Sequence, residues 1–405
     1  MRISTRSAAT WIVLGLGALV VLGLGLWWLL SQALDNPESP TGSAADEEGS
    51  QGAQGPLPSG TPWGTFHGDS TRRGSFDLEG PGTTWTVPFQ PNGSCSCGSS
   101  VVVADGILYG GAYDGSVYAI DIRDGAVVWR RPLGASVFAS PTVSATSVYI
   151  GGAHTNDPYV YALDRADGSI RWRFKLGPVD GWVGAPVLSD GWVYVPAGGE
   201  VYALHEDDGR LLWHDQAWAT ELTIADGVVY VASHADDAKA LDAKSGRQLW
   251  KVDLGMSSGS PLVLKSEVYF VADGRLVAVD RSSGAILWNF TADTPLGRAP
   301  AYANGTIFVS GQSYVYAVDA TSGKQIWAFA HGYGVVSGPA VVDGVVYFSA
   351  GDLIAVKAGS GEILWRFRAN AVTTPAIVDG IAYVNGNIAF YAVDIQNGRQ
   401  HDSLA

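Results

Sequence analysis

The sequence holds little of what nucleic-acid-binding proteins and most metalloenzymes are built from. Lysine and arginine number 25 against 39 acidic residues, a net charge of −14, and that sign argues against nucleic acid as a partner, which requires clustered basic groups. The acidic excess serves solubility. Cys95 and Cys97 are the only two cysteines, and two thiols alone do not make a zinc site, which normally takes four ligands. Beyond an apolar N-terminal segment, no helical hydrophobic period survives. No nucleophile–base pair, glycine-rich phosphate loop or metal-ligand cluster stands out along the rest of the chain.

What is abundant is glycine, 52 residues, and tryptophan, 15, and both recur in register. Tyr161-Ala162-Leu163-Asp164 leads to Gly168 and Trp172, and Tyr316-Ala317-Val318-Asp319 leads to Gly323 and Trp327. In seven units a Gly stands four residues before a Trp: Gly125/Trp129, Gly168/Trp172, Gly209/Trp213, Gly246/Trp250, Gly284/Trp288, Gly323/Trp327 and Gly361/Trp365. Gly398 has no Trp after it, and Trp85 has no Gly before it. The two unmatched halves lie at opposite ends of the array, as a closed ring requires.

Each unit reads as four short strands. Unit five runs through Ser260–Leu264, Glu267–Val271, Leu276–Asp280 and Ala285–Phe290, runs of β-branched and aromatic residues bounded by Gly, Asp and Ser. Asp105-Gly106, Asp190-Gly191, Asp226-Gly227, Asn304-Gly305, Asp343-Gly344 and Asp379-Gly380 fall between the first two strands and favour tight antiparallel hairpins. A period of about 40 residues made of such units predicts radial repetition into an all-β, eight-bladed β-propeller. The eighth unit ends after three strands, so Thr83–Val87, around Trp85, is expected to supply the fourth and close the ring. The tryptophans and glycines are read as packing between blades, because an indole can lie on a neighbouring backbone only where no Cβ stands in the way.

Residues 11–30 form an uninterrupted apolar run, Trp11 to Leu30, enough to cross a hydrocarbon core of about 30 Å as a helix. Arg2 and Arg6 precede it and acidic residues follow. That asymmetry keeps residues 1–10 in the cytoplasm and places the bulk outside. The run reads as an uncleaved signal anchor; a cleaved signal peptide, with Ser31-Gln32-Ala33 as its cleavage site, is the alternative. No cysteine follows the run to carry a lipid. Residues 31–60, rich in Pro, Gly, Ser and acid, read as a disordered tether, and residues 61–405 as the propeller.

The combination of Ser-Pro-x-Val, Val-Tyr, Tyr-Ala-Leu-Asp and Gly-x-x-x-Trp, with the lead-in Trp63-Gly64-Thr65-Phe66-His67-Gly68-Asp69, resembles the pyrroloquinoline-quinone-like propeller repeats over residues 61–400. That resemblance implies the propeller fold. It is less specific for function, since the superfamily includes quinoprotein alcohol dehydrogenases, the non-enzymatic propeller of the outer-membrane β-barrel assembly machinery and many surface proteins of unknown role. Against the enzyme pattern, Ser96 separates Cys95 from Cys97 where the enzymes have adjacent cysteines. His154 stands where their calcium-binding Glu would be, and a hard cation prefers oxygen. Val195-Pro196-Ala197-Gly198-Gly199 offers no amide where their calcium-binding Asn would be. The resemblance therefore implies a non-catalytic scaffold for envelope or membrane proteins with no resident cofactor. A dehydrogenase using pyrroloquinoline quinone with calcium at an altered site is the alternative, and a channel-mouth site for a sugar or other small ligand is a third.

Candidate binding residues follow from propeller topology. The position before the first-strand Pro is small in seven units (Ser100, Ser140, Ala185, Ser260, Ala299, Gly338 and Thr374) but is Glu221 in unit four. An acid there points either to a ligand at the channel mouth or to a carboxylate paired with Arg or facing channel water. The links from each fourth strand to the next first strand share one face and carry Trp182, Trp218, Arg298, His331, Tyr333 and Arg368; His154 and Asp157 reach the same face. Exposed aromatics with Arg suit protein hot spots or sugar stacking. Cys95 and Cys97 are expected to form a local disulfide, with free thiols, a redox role or a metal as the other readings.

Overall fold

A computed structural model describes residues 86–88, 100–112, 114–134, 137, 139–152, 158–177, 183–233, 237–332, 337–371, 373–386 and 389–399. The apolar segment 11–30, the tether, Trp85, Cys95, Cys97, His154, Asp157, Trp182 and Tyr333 lie outside the described residues. Among those described, no helix is long and apolar enough to cross a membrane.

Eight antiparallel sheets follow one another in sequence. We number them blades 1–8, each with its first strand nearest the axis. In blade 1 the strands are Val102–Ala104, Ile107–Gly111, Ser116–Asp121 and Val127–Pro132. In blade 7 the second and third strands run on as one element, Val345–Lys357, with Gly351 at φ 74° between its two halves. The predicted turns are in place: Asp105, Asp190, Asp226, Asn304, Asp343 and Asp379 all take φ of 47–50°, each followed by a glycine of positive φ. Two successive residues at positive φ twist a two-residue hairpin to match its strands.

Blade 8 closes as expected. Its strands Ala376–Val378, Ile381–Asn385 and Ala389–Asp394 are completed by Thr86–Pro88 from the N-terminal side, in the register Thr86↔Tyr391, Val87↔Phe390 and Pro88↔Ala389.

The hydrophobic core is divided between neighbouring blades. Each Trp packs on the Gly of the following blade: Trp129 on Gly168, Trp172 on Gly209, Trp213 on Gly246, Trp250 on Gly284, Trp288 on Gly323, Trp327 on Gly361 and Trp365 on Gly398. Each indole N–H also donates across the junction, to a backbone carbonyl three residues before that Gly; Trp129 reaches Arg165 at 2.9 Å and Trp172 reaches Glu206 at 2.8 Å. The buried tyrosine of the second strand joins in. Tyr149 and Trp172 share the Glu206 carbonyl, Tyr194 and Trp213 that of Ala243, and Tyr269 and Trp288 that of Ala320. A carbonyl has two lone pairs, so one acceptor satisfies both buried donors.

Among the described residues, two junctions carry an additional clasp. Arg165 donates to the Tyr109 hydroxyl at 3.0 Å and the Ala104 carbonyl at 2.9 Å, and pairs with Asp105 at 2.7 Å. Arg281 repeats this between blades 4 and 5, reaching Tyr230 at 2.8 Å and Asp226 at 2.7 Å. Burial of a guanidinium is tolerable here because its donors are met on several sides.

Candidate partner-binding face

Around the axis, the small residues that open each first strand are packed edge to edge. The Ser100 amide donates to Ser140 Oγ at 3.1 Å, joining blades 1 and 2, and Thr374 Oγ1 donates to the Gly338 carbonyl at 3.3 Å, joining blades 8 and 7. Between blades 4 and 5 the link is Glu221, whose Oε2 accepts from Ser260 Oγ at 3.0 Å. A bulge between Ala219 and Glu221 in blade 4 and a second shift between Ser258 and Leu262 in blade 5 accompany this contact. Bulges re-aim side chains. The carboxylate of Glu221 is thus a half-buried, hydrogen-bonded member of the ring.

Blades 4 and 5 differ from the rest in a second way. Their first strands, Ala219–Ala225 and Ser257–Val263, are seven residues long, against two or three in the other blades. The extra length carries each strand up toward the link face, and the residue before each is Trp218 or Met256. These occupy equivalent places, since Ala219 pairs with Ser233 and Ser257 with Ala272. Both side chains are exposed, Trp218 to 64%. The other large apolar side chains exposed among the described residues all belong to outermost strands.

The backbone at Trp218 is in the left-handed region, φ 48°. Every other non-glycine residue found there, among those described, is Asp or Asn, whose short polar side chains tolerate it. For Trp the conformation is strained, by about 1–2 kcal/mol. The indole is also not buried in compensation; it rests against Gly199 in the Gly198-Gly199 hairpin of blade 3, where even a methyl group would stand 3.2 Å from Cε3. Such strain concentrates where a side chain is held for a purpose. Polar groups at the same end of these blades are tied down: His214 to Glu200 at 3.1 Å, Lys239 to the Gln216 carbonyl at 2.9 Å, and the Met256 amide to Asp273 at 3.1 Å.

The other expected site residues are distributed differently. Arg298 and His331 lie on the link side but are only 7% and 6% exposed, so neither presents a surface. Arg298 sits where Gly259 packs directly on the backbone of residues 298 and 299. His331 is enclosed near Phe348, and burial holds its imidazole down to about 4. Arg368 is exposed, near the end of the outermost strand of blade 7. Of the predicted residues that are described, only Trp218 presents an exposed aromatic side chain. Met256 was missed; its signal is its place before an elongated first strand, equivalent to that of Trp218.

Of the quinone–calcium pattern, only the stretch expected to carry the calcium-binding amide lies among the described residues. In blade 3, Val195 and Ala197 are buried, Pro196 and Gly198-Gly199 complete the stretch, and no side-chain oxygen is available there for a hard cation.

Comparison with known proteins agrees with this architecture. Over 217 residues the chain is 28% identical to the outer membrane protein assembly factor BamB of Yersinia pestis, covering 49% of this chain and 54% of that protein. Over 219 residues it is 25% identical to the tetrathionate hydrolase of Acidithiobacillus ferrooxidans, covering 51% of this chain and 40% of that protein. The chain thus spans about half the length of these relatives. The crystal structure of BamB from Moraxella catarrhalis superposes with a TM-score of 0.64 over 79% of this chain and 98% of that one, at 14% identity, a likeness of fold. A family model described as outer membrane protein assembly factor BamB matches residues 74–156, 156–251, 234–313 and 311–401, nearly the whole repeat array, and to that family the chain belongs.

Proposed function

We propose that the protein is a non-catalytic, protein-binding scaffold, held at the outer side of a membrane by residues 11–30 and working through its link face. The observation that carries this reading is Trp218, an exposed indole in strained backbone seated on Gly199, with the exposed Met256 at the equivalent place in the next blade. Rigid, exposed Trp and adaptable Met are the residue types on which protein partners anchor. Family membership supports the same reading, and the lack of a side-chain oxygen along Val195–Gly199 speaks against the quinone-dependent alternative. Partners would be envelope or membrane proteins.

The test is site-specific cross-linking from positions 218 and 256 in intact cells. Adducts to one or a few envelope proteins, lost in Trp218→Ala/Met256→Ala, are expected; an adduct pattern indifferent to both substitutions would sink the reading. The small-ligand alternative has one supporting observation, the lone carboxylate of Glu221 in the axial ring. It predicts a ligand-induced rise in melting temperature that disappears in Glu221→Gln.

A further inference from the structure

The outermost strand of each blade is the end of its sheet, so one side of its backbone meets no further strand among the described residues. Natural proteins protect such edges with charge, proline or bulges. In blades 1–7 the residue after the conserved-spacing Trp is Arg130, Arg173, His214, Lys251, Asn289, Ala328 and Arg366. Five are basic or titratable, and four of these are engaged on their own blade. Arg130 pairs with Asp114 at 2.8 Å, Arg173 lies 4.9 Å over the ring of Tyr159, His214 meets Glu200 at 3.1 Å, and Lys251 meets Asp237 at 2.5 Å.

Blades 5 and 6, which are neighbours, lack this guard. Their outermost strands, Ile286–Thr291 and Gln325–Ala330, contain no charged residue at all, whereas each of the other five contains at least one. Asn289 and Ala328 are exposed, and Ile286, Leu287 and Ile326 are about half exposed. The short outer strand of blade 8 ends instead in Pro88, which withholds an N–H from any added strand.

We propose that the outer edges of blades 5 and 6 accept an added β-strand, an extended and uncharged segment of a partner polypeptide. An edge backbone has alternating donors and acceptors that only water or another strand can satisfy. The neighbouring apolar side chains reward an apolar segment, and with no charge on the edge to pair with, a charged segment would bury its charge uncompensated. A second copy of this chain is the less suitable occupant, because a net charge of −14 opposes the approach of two copies. The rim is a different surface from the link face, so this proposal stands independently of the one above.

The test uses the full-length protein and a fluorescent decapeptide of alternating Val and Thr with blocked termini, followed by anisotropy. Saturable binding is expected, weakened at least about tenfold in Asn289→Arg/Ala328→Arg, which restores the guard found in other blades. N-methylation of alternate peptide amides should weaken it as much, a readout that requires no variant. No saturable binding, or binding indifferent to both the double substitution and N-methylation, overturns the proposal. Sedimentation showing a dimer that the double substitution dissolves would assign the edges to a second copy and overturn it too.

Discussion

The indole of Trp129 in blade 1 lies against the α-carbon of Gly168 in blade 2, so closely that a methyl group at residue 168 would stand 2.6 Å from Cε3. Gly168 also holds φ 69°. Gly168→Ala therefore combines a clash with backbone strain and should destabilise the protein by about 2–4 kcal/mol in urea unfolding. Gly106→Ala is the internal control: φ is 76° but nothing lies within 4 Å. Strain alone should cost about 1 kcal/mol there.

The Arg165 clasp separates buried from exposed ion pairs within one protein. Its side chain is 13% exposed, whereas Arg123, paired with Asp121, is 72% exposed. Arg165→Met should cost about 2–4 kcal/mol, because the Tyr109 hydroxyl and the Ala104 carbonyl lose a buried partner. Arg123→Met should fall below about 0.5 kcal/mol. Equal losses in chemical denaturation would refute the distinction.

His331 gives a pH dependence of predictable sign. Burial lowers its imidazole from 6.5 to about 4, so between those values the unfolded chain is protonated while the folded protein is not. The unfolded state binds the extra proton, and stability falls as pH drops through that window. Its contribution is fully present above about 6.5. His331→Phe should flatten this part of the stability–pH curve, and an unchanged slope would show that other groups produce it.

Trp218 should behave opposite to a core tryptophan. Trp218→Gly removes an exposed side chain from left-handed backbone, and relief of strain offsets the added chain entropy. The melting temperature should not fall, whereas Trp172→Ala, which opens a blade junction, should lose about 3–5 kcal/mol. A large destabilisation by Trp218→Gly would mean that the indole is a packing residue after all.

Blade number, hairpin positions and the closing strand were legible because repetition averages out local ambiguity: a Tyr or a Gly means little once but a great deal eight times. The unmatched Gly398 and Trp85 foretold closure, and the strand after Trp85, Thr86–Pro88, does complete blade 8. Departures from the repeat were harder to read. Glu221 stood out, but its Ser260 partner belongs to another blade. Arg298 and His331 are expected on the link face, yet both are buried, which topology alone does not determine. The strain at Trp218 had no sequence signal, since a backbone dihedral is set by its neighbours' packing. Nor did the Arg165 clasp, whose contacts join residues distant in sequence.

The pairing of Thr86–Pro88 with the strand Ala389–Asp394 makes the N-terminal strand of the propeller the last to find its place. Residue 86 leaves the ribosome long before residue 391, and until then blade 1 has no neighbour on one side. Seven blades can condense in order as they emerge, each on the one before. The ring becomes a single cooperative body only at the final step, so a chain truncated within blade 8 should be held as an open, protease-sensitive arc.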